Sequence, residues 1–157
     1  MERVSIETDA RDPYDEDSDR RDLSDPLGTS EMAINHYRVA PGDGLPGGLH
    51  SHMDQEEVYL VLAGEMSIET MAGSETVTAG EAVSFDRGEF HTGRNDSDTN
   101  LVVLALGAPR ETDDIRLPAA CPACGNENLQ MTLGEAVQPV AVCQDCQTTF
   151  DQPPLQD

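Results

Sequence analysis

The chain has 157 residues, enough for one ordinary domain or a compact domain with a small module attached. Its 31 acidic residues face nine basic ones, for a net charge of −22; dispersed acid of this kind repels itself in ordinary buffer and is a lever of halophilic proteins, so a salt-rich cytoplasm is expected. All nine basic residues are arginine, which excludes Schiff-base and lysine-base catalysis, and none follows Arg116, which argues against nucleic acid as a partner.

Residues 1–30 read as an acidic N-terminal arm. Val4 and Ile6 alternate as an edge strand would, the polar run that follows is expected in solvent, and Leu23 and Leu27 are the side chains able to pin it to the fold. The start, MERVSIETDARD, has no apolar signal region, and no apolar run approaches the ~18 residues of a membrane span, so a soluble, cytoplasmic protein without a membrane partner is expected.

From Glu31 the pattern becomes β. MAINHYRVAPG is a strand ended by Pro41 and Gly42, and a Gly/Pro-rich loop then delivers His50. EVYLVLAG sets Glu57, Tyr59 and Val61 on one face and Val58, Leu60 and Leu62 on the other. EMSIETM, AGSETVTAGEAVSF and NLVVLALG continue the series of short strands, with Asp86–Gly88 turning the chain toward His91. No segment has a helical period, so the fold class is all-β. Strands apolar on both faces require cover from a second sheet, the arm or a partner chain, and a homodimer is expected on that ground.

His50 and His52, two residues apart in extended chain, share a face, and Glu57 follows. Imidazole pairs with a carboxylate suit a divalent transition metal. The spacing of Gly44, His50, His52, Glu57 and Gly64, followed by Gly80, Asp86, Gly88, His91 and Asn95, resembles the two motifs of the cupins, which usually have proline where Asp86 stands. The resemblance covers residues 31–107. It implies a double-stranded β-helix (jelly-roll) barrel holding a metal on His50, His52, Glu57 and His91, with Fe, Mn, Ni, Zn or Cu all compatible with that donor set.

Residues 108–120 read as a polar linker with proline near both ends. In residues 121–150, Cys121 and Cys124 are separated from Cys143 and Cys146 by the spacing of a four-cysteine zinc site. This stretch resembles a zinc ribbon: CPACG is a typical knuckle turn, CQDCQ lacks the usual glycine, and a structural zinc would staple a segment with few apolar side chains.

Around the barrel site, Tyr59 is the candidate hydrogen-bond donor, because strand parity puts it on the Glu57 face. His36 is expected to be structural or exposed; Tyr37 and Arg38 are further candidates to line the cavity; Asp54 and Glu56 are expected in solvent. The resemblance implies a protein that acts on or binds a small molecule. With no named acid–base group beside the ligands, an Fe(II)-type dioxygenase is favoured over a metal-dependent isomerase, and a non-catalytic ligand-binding or protein-docking module is the alternative.

Overall fold

The computed structural model describes residues 1–6, 19–133 and 139–150. Among them the elements run β1 (Asp19–Asp22), α1 (Ser24–Leu27), β2 (Ala33–Val39), β3 (Ser51–His52), β4 (Glu56–Ala63), β5 (Glu65–Thr70), β6 (Gly73–Thr78), β7 (Ala82–Phe85), β8 (His91–Arg94), β9 (Leu101–Ala108), β10 (Ile115–Leu117), β11 (Leu129–Leu133), β12 (Pro139–Val142) and β13 (Thr149–Phe150). The fold is all-β, as the alternating pattern requires, with a single short helix among the described residues.

One wall of the barrel is the sheet β1-β2-β9-β4-β7, and it faces the sheet β6-β5-β8. Period-two alternation sends Tyr59, Val61, Phe85, Val103 and Ala105 inward, where they pack with Met66, Ile68 and Val77 of the facing sheet. The turn from β4 to β5 needs Gly64: its φ is 81°, and a Cβ there would sit 2.7 Å from the Asn100 carbonyl oxygen. On the outer face of the first wall, Ile34, Val58, Leu60, Leu104 and Leu106 are half-buried, while Leu62 is 47% exposed beside the register shift that follows Val61.

Val4 and Ile6 form no strand. The edge strand is β1 instead, whose Arg21 pairs with His36 of β2. Residues 19–27 are therefore not a solvated arm. Arg20 donates to the Asn35 side chain (3.0 Å), Arg21 donates to Asp19 (3.2 Å) and to the Ile6 carbonyl, and Leu23 is buried at 5% exposure while Leu27 is half-buried. A strand reading Asp-Arg-Arg-Asp presents charge along its free edge, which discourages further strand pairing. Residues 7–18 of the expected acidic arm lie outside the described residues.

The stretch read as a linker contributes a strand. β10 pairs with β3 in the register Ile115↔His52 and Arg116↔Ser51, and with β11 on its other side, giving a third sheet of order β13-β12-β11-β10-β3. The chain is fastened on its way there by Gln55, whose side-chain amide donates to the carbonyls of Pro109 (2.6 Å) and Arg110 (3.3 Å). That amide lies flat over Gly107, where a Cβ would come 2.7 Å from Gln55 Cδ. Gly107→Ala is expected to dislodge Gln55 and destabilise the fold by about 1–3 kcal/mol, the usual range for overpacking. A lower urea midpoint at unchanged slope is the expected result; an unchanged midpoint would mean that the clamp is slack.

Candidate metal centre

Three strands, one from each sheet, bring the candidate ligands together: β3, β4 and β8. His50 and His91 form an isolated antiparallel bridge, the His50 N–H donating to the His91 carbonyl (3.2 Å) and the His91 N–H to the His50 carbonyl (2.9 Å). Their rings consequently lie side by side with centroids 5.3 Å apart. His52 sits on the same face as His50, with ring centroids at 4.9 Å. Glu57 enters from the start of β4, across the barrel.

The ligand atoms of His50, Glu57 and His91 all lie within 4.8 Å of one another. His52 joins this group from the side, its Nε2 3.1 Å from His50 Nε2 and 3.7 Å from Glu57 Oε2. Backbone acceptors fix two of the three tautomers. His50 Nδ1 is 2.8 Å from the Gly48 carbonyl and His91 Nδ1 is 3.0 Å from the Glu89 carbonyl, and a carbonyl only accepts, so in each ring the proton is on Nδ1. The Nε2 lone pairs are then free, and that of His91 points at Glu57 Oε2 from 3.0 Å. Two acceptors at that separation need a cation between or beside them, so the donor set fits a divalent metal ion.

The shell around these groups is dry and aromatic. His91 is 1% exposed, and its ring stacks on Phe85 at a centroid distance of 3.7 Å and an interplanar angle of 4°. The Tyr59 hydroxyl donates to Glu57 Oε2 from 3.3 Å and is equally close to His91 Nε2. Burial pushes the Tyr59 hydroxyl well above its ordinary value of 10, so it is a neutral donor and not a base at neutral pH. A cavity of about 310 Å³ opens between β6 and β7, lined by Ile68, Thr70, Val77, Val83 and Phe85, which makes Phe85 the wall between it and His91.

Burial also holds the imidazoles of His50 and His52 below the ordinary 6.5. For Glu57, burial raises the carboxyl, but the adjacent imidazoles, His91 foremost and then His52 and His50, outweigh it and leave the group below its ordinary value. Because the two histidines bind protons more readily in the unfolded chain, their contribution to stability is complete above pH 6.5 and is lost as pH falls below it. Urea midpoints of the metal-free protein are expected to fall through that window; a midpoint that rises on acidification would contradict the assignment.

Several candidates lie elsewhere. His36 is buried on the outer face of the first wall, between Arg21 of β1 and Leu104 of β9 in the register, Tyr37 packs against the core, and Arg38 is exposed and 3.8 Å from Asp19. Glu56 is exposed, as expected. Asp54 is not simply solvated: Thr112 Oγ1 donates to its Oδ1 (2.6 Å) and the Asp113 N–H to its Oδ2 (2.8 Å), and these bonds outweigh burial to lower its pKa. No sequence pattern points to Thr112, a polar residue in a polar stretch, although its hydroxyl is 3.2 Å from His52 Nδ1. Nor does any sequence pattern single out Phe85 as the ring that stacks on His91.

At the far end of the third sheet, the four cysteine sulfurs also lie within 4.8 Å of one another. Cys121 Sγ is 3.7 Å from Cys146 Sγ and Cys124 Sγ is 3.5 Å from Cys143 Sγ. A tetrahedral zinc with Zn–S bonds of ~2.3 Å holds its sulfurs ~3.8 Å apart, so the cluster fits that ion. The Thr148 hydroxyl and backbone N–H lower the Cys146 thiol to about 6, favouring the thiolate a metal requires.

The two knuckles share one turn. Gly125 N–H donates to the Cys121 carbonyl (2.8 Å) and Gln147 N–H to the Cys143 carbonyl (2.9 Å). Where Gly125 has φ 79°, Gln147 takes φ 58° without being glycine. The absent glycine therefore leaves the turn in place but strained. Gln147→Gly is expected to raise the stability of this unit by about 1 kcal/mol, offset in part by loss of the Gln147 side-chain bond to the Gln144 carbonyl (2.7 Å). Hydrogen exchange at Ala141 and Val142 reads it; faster exchange in the variant would show that the side-chain bond outweighs the strain.

Comparison with known proteins agrees with this geometry. Residues 35–107 match the family model described as the cupin domain. A conserved protein with a double-stranded β-helix domain from Klebsiella pneumoniae superposes with TM-score 0.59 at 18% identity, covering 72% of this chain and 93% of its own. A protein from Thermus thermophilus gives TM-score 0.58 at 25% identity, covering 71% and 100%. A sugar phosphate isomerase of the cupin superfamily from Silicibacter pomeroyi gives 0.59 at 20% identity, covering 87% and 79%. No curated protein matches the chain significantly. Barrel, motif spacing and family match coincide over the same residues, so that residues 35–107 have the fold of, and are similar in sequence to, the cupin domain.

Proposed function

We propose that His50, His52, Glu57 and His91 hold one divalent transition metal, and that the chain uses it on a small molecule in an oxygen-dependent, dioxygenase-type reaction. The supporting observation is the convergence of imidazole Nε2 atoms on the Glu57 carboxylate, with two of the Nδ1 positions tied to backbone carbonyls. A metal so held supplies Lewis acidity and, if it is iron, oxygen chemistry. The chain's own residues orient the ligands and exclude water: Tyr59 donates to Glu57, and Phe85 covers one face of His91. The cavity that shares Phe85 as its wall is of a size to admit a small ligand.

An acid–base isomerase has less support, because burial keeps the Tyr59 hydroxyl beside Glu57 and His91 protonated. That scarcity of acid–base groups equally supports the second reading, a non-catalytic small-molecule-binding module. The four-cysteine unit, read as a zinc ribbon on residues 121–150, takes a structural zinc. Thiolate sites of this kind persist where thiols stay reduced, which supports a cytoplasmic setting. The half-covered outer face of the first wall supports a homodimer.

Metal analysis of the full chain prepared in high salt is expected to give about two metals, one of them lost in the double variant His50→Ala with His52→Ala. Equal metal content in that variant would remove the barrel site. Anaerobic Fe(II) loading followed by oxygen uptake with phenols, diketones and thiols tests the reaction; uptake unaffected by all of them would favour the binding module.

A further inference from the structure

Two of the three histidines at the centre are oriented by their own segment, His50 by Gly48 and His91 by Glu89, each two residues upstream. His52 is different. Its Nδ1 faces Thr112 Oγ1 at 3.2 Å, a residue 60 positions later in the chain. The segment carrying Thr112 is knitted along β3: the Met53 N–H donates to the Asp114 carbonyl (2.8 Å), the Asp113 N–H to Asp54 (2.8 Å), and β10 then pairs with β3.

The direction of the hydrogen bond at His52 follows from proton counting. An ionised carboxylate only accepts, so the one proton of the Thr112 hydroxyl goes to Asp54 Oδ1, 2.6 Å away. Nothing remains on that hydroxyl to donate to His52, and it can only accept. The proton of the neutral imidazole must therefore lie on Nδ1, which leaves the Nε2 lone pair facing His50 Nε2 at 3.1 Å and Glu57 Oε2 at 3.7 Å.

Resting on the barrel metal site proposed above, we propose that Asp54 and Thr112 are positioning residues that lock His52 in the Nδ1–H tautomer and so aim its Nε2 at the metal. Without Asp54 the Thr112 hydroxyl is free to rotate and donate to Nδ1, which would put the imidazole proton on Nε2 and block ligation. Without the Thr112 hydroxyl neither tautomer is selected. Partners of this kind around a metal-bound histidine typically change affinity by about 10–100-fold when removed.

The test uses the full chain with zinc in the cysteine site, with 15N-labelled histidine and Mn(II) as the probe, a hard ion that thiolates do not favour. In the metal-free protein, His52 is expected to show a protonated Nδ1 and an unprotonated Nε2. Thr112→Val is expected to mix the tautomers, Asp54→Ala to shift the proton to Nε2, and Thr112→Ser to restore the wild-type pattern. Mn(II) affinity, followed by loss of the free-ion EPR signal, is expected to fall about 10–100-fold in Thr112→Val and Asp54→Ala and to recover in Thr112→Ser. If wild type binds Mn(II) but neither the tautomer nor the affinity responds to these variants, the positioning role is wrong and the metal site stands. If the tautomer responds as stated but wild type binds no divalent ion, the locking role stands and the metal site falls.

Discussion

Replacing Cys143 with serine is expected to release one zinc per chain and to unfold β11, β12 and β13 while the barrel core stays folded. Cys143 is fully buried, and among the described residues the small cluster around it comprises Ala119, Cys121, Leu129 and Ala141, with Phe150 packed alongside. So few apolar side chains cannot offset the conformational entropy of ordering the unit. A zinc on the four sulfurs would supply the difference, since its apparent binding free energy at such sites is about 10–16 kcal/mol at neutral pH. Hydrogen exchange should show lost protection at Met131, Ala141 and Val142, with Val61 and Val103 unchanged. Retained zinc, or retained protection without it, would show that the sheet carries its own stability.

The second large effect is expected from His91→Ala. The substitution removes a proposed ligand, the ring stacked on Phe85 and the imidazole nearest a carboxylate whose side chain is 14% exposed. Truncating a large buried ring typically costs about 3–5 kcal/mol, and with the metal gone the Glu57 charge is also left without compensation. The barrel metal should be lost at the same time. Adding Glu57→Gln to His91→Ala separates the two consequences: it removes the stranded charge and should recover part of the stability, without recovering the metal. Equal stability of the single and double variants would mean that the carboxylate finds water or another donor. Thermal or urea unfolding with metal analysis on the same samples reads both.

The barrel was legible because its determinants are local and periodic. Alternation in EVYLVLAG fixed the faces of β4, so Glu57, Tyr59 and Val61 share the interior, and the His50–His52 spacing needed only extended chain to put both rings on one side. The knuckles were legible for the same reason, since CPACG and CQDCQ are self-contained turns. What escaped depends on distant pairing. β1 has the composition of a solvated segment, and only the partnership with β2 makes it a strand. β10 is three residues long, and nothing in APRETDDIRLPAA says that it will lie between β3 and β11. Thr112 and Gln55 act through bonds spanning 60 and 54 positions, which no local pattern encodes.

The place of β10 bears on how the chain can be divided. A fragment ending at the close of the family match would lose the neighbour of β3, leaving Ser51 and His52 as an unpaired sheet edge at the mouth of the barrel. It would also lose the carbonyls that Gln55 holds. The smallest autonomous piece that keeps the centre intact should therefore extend at least through Leu117, and β11 is the natural cap for the edge that β10 then exposes. The boundary drawn by family similarity and the boundary of an excisable folding unit fall at different places in this chain.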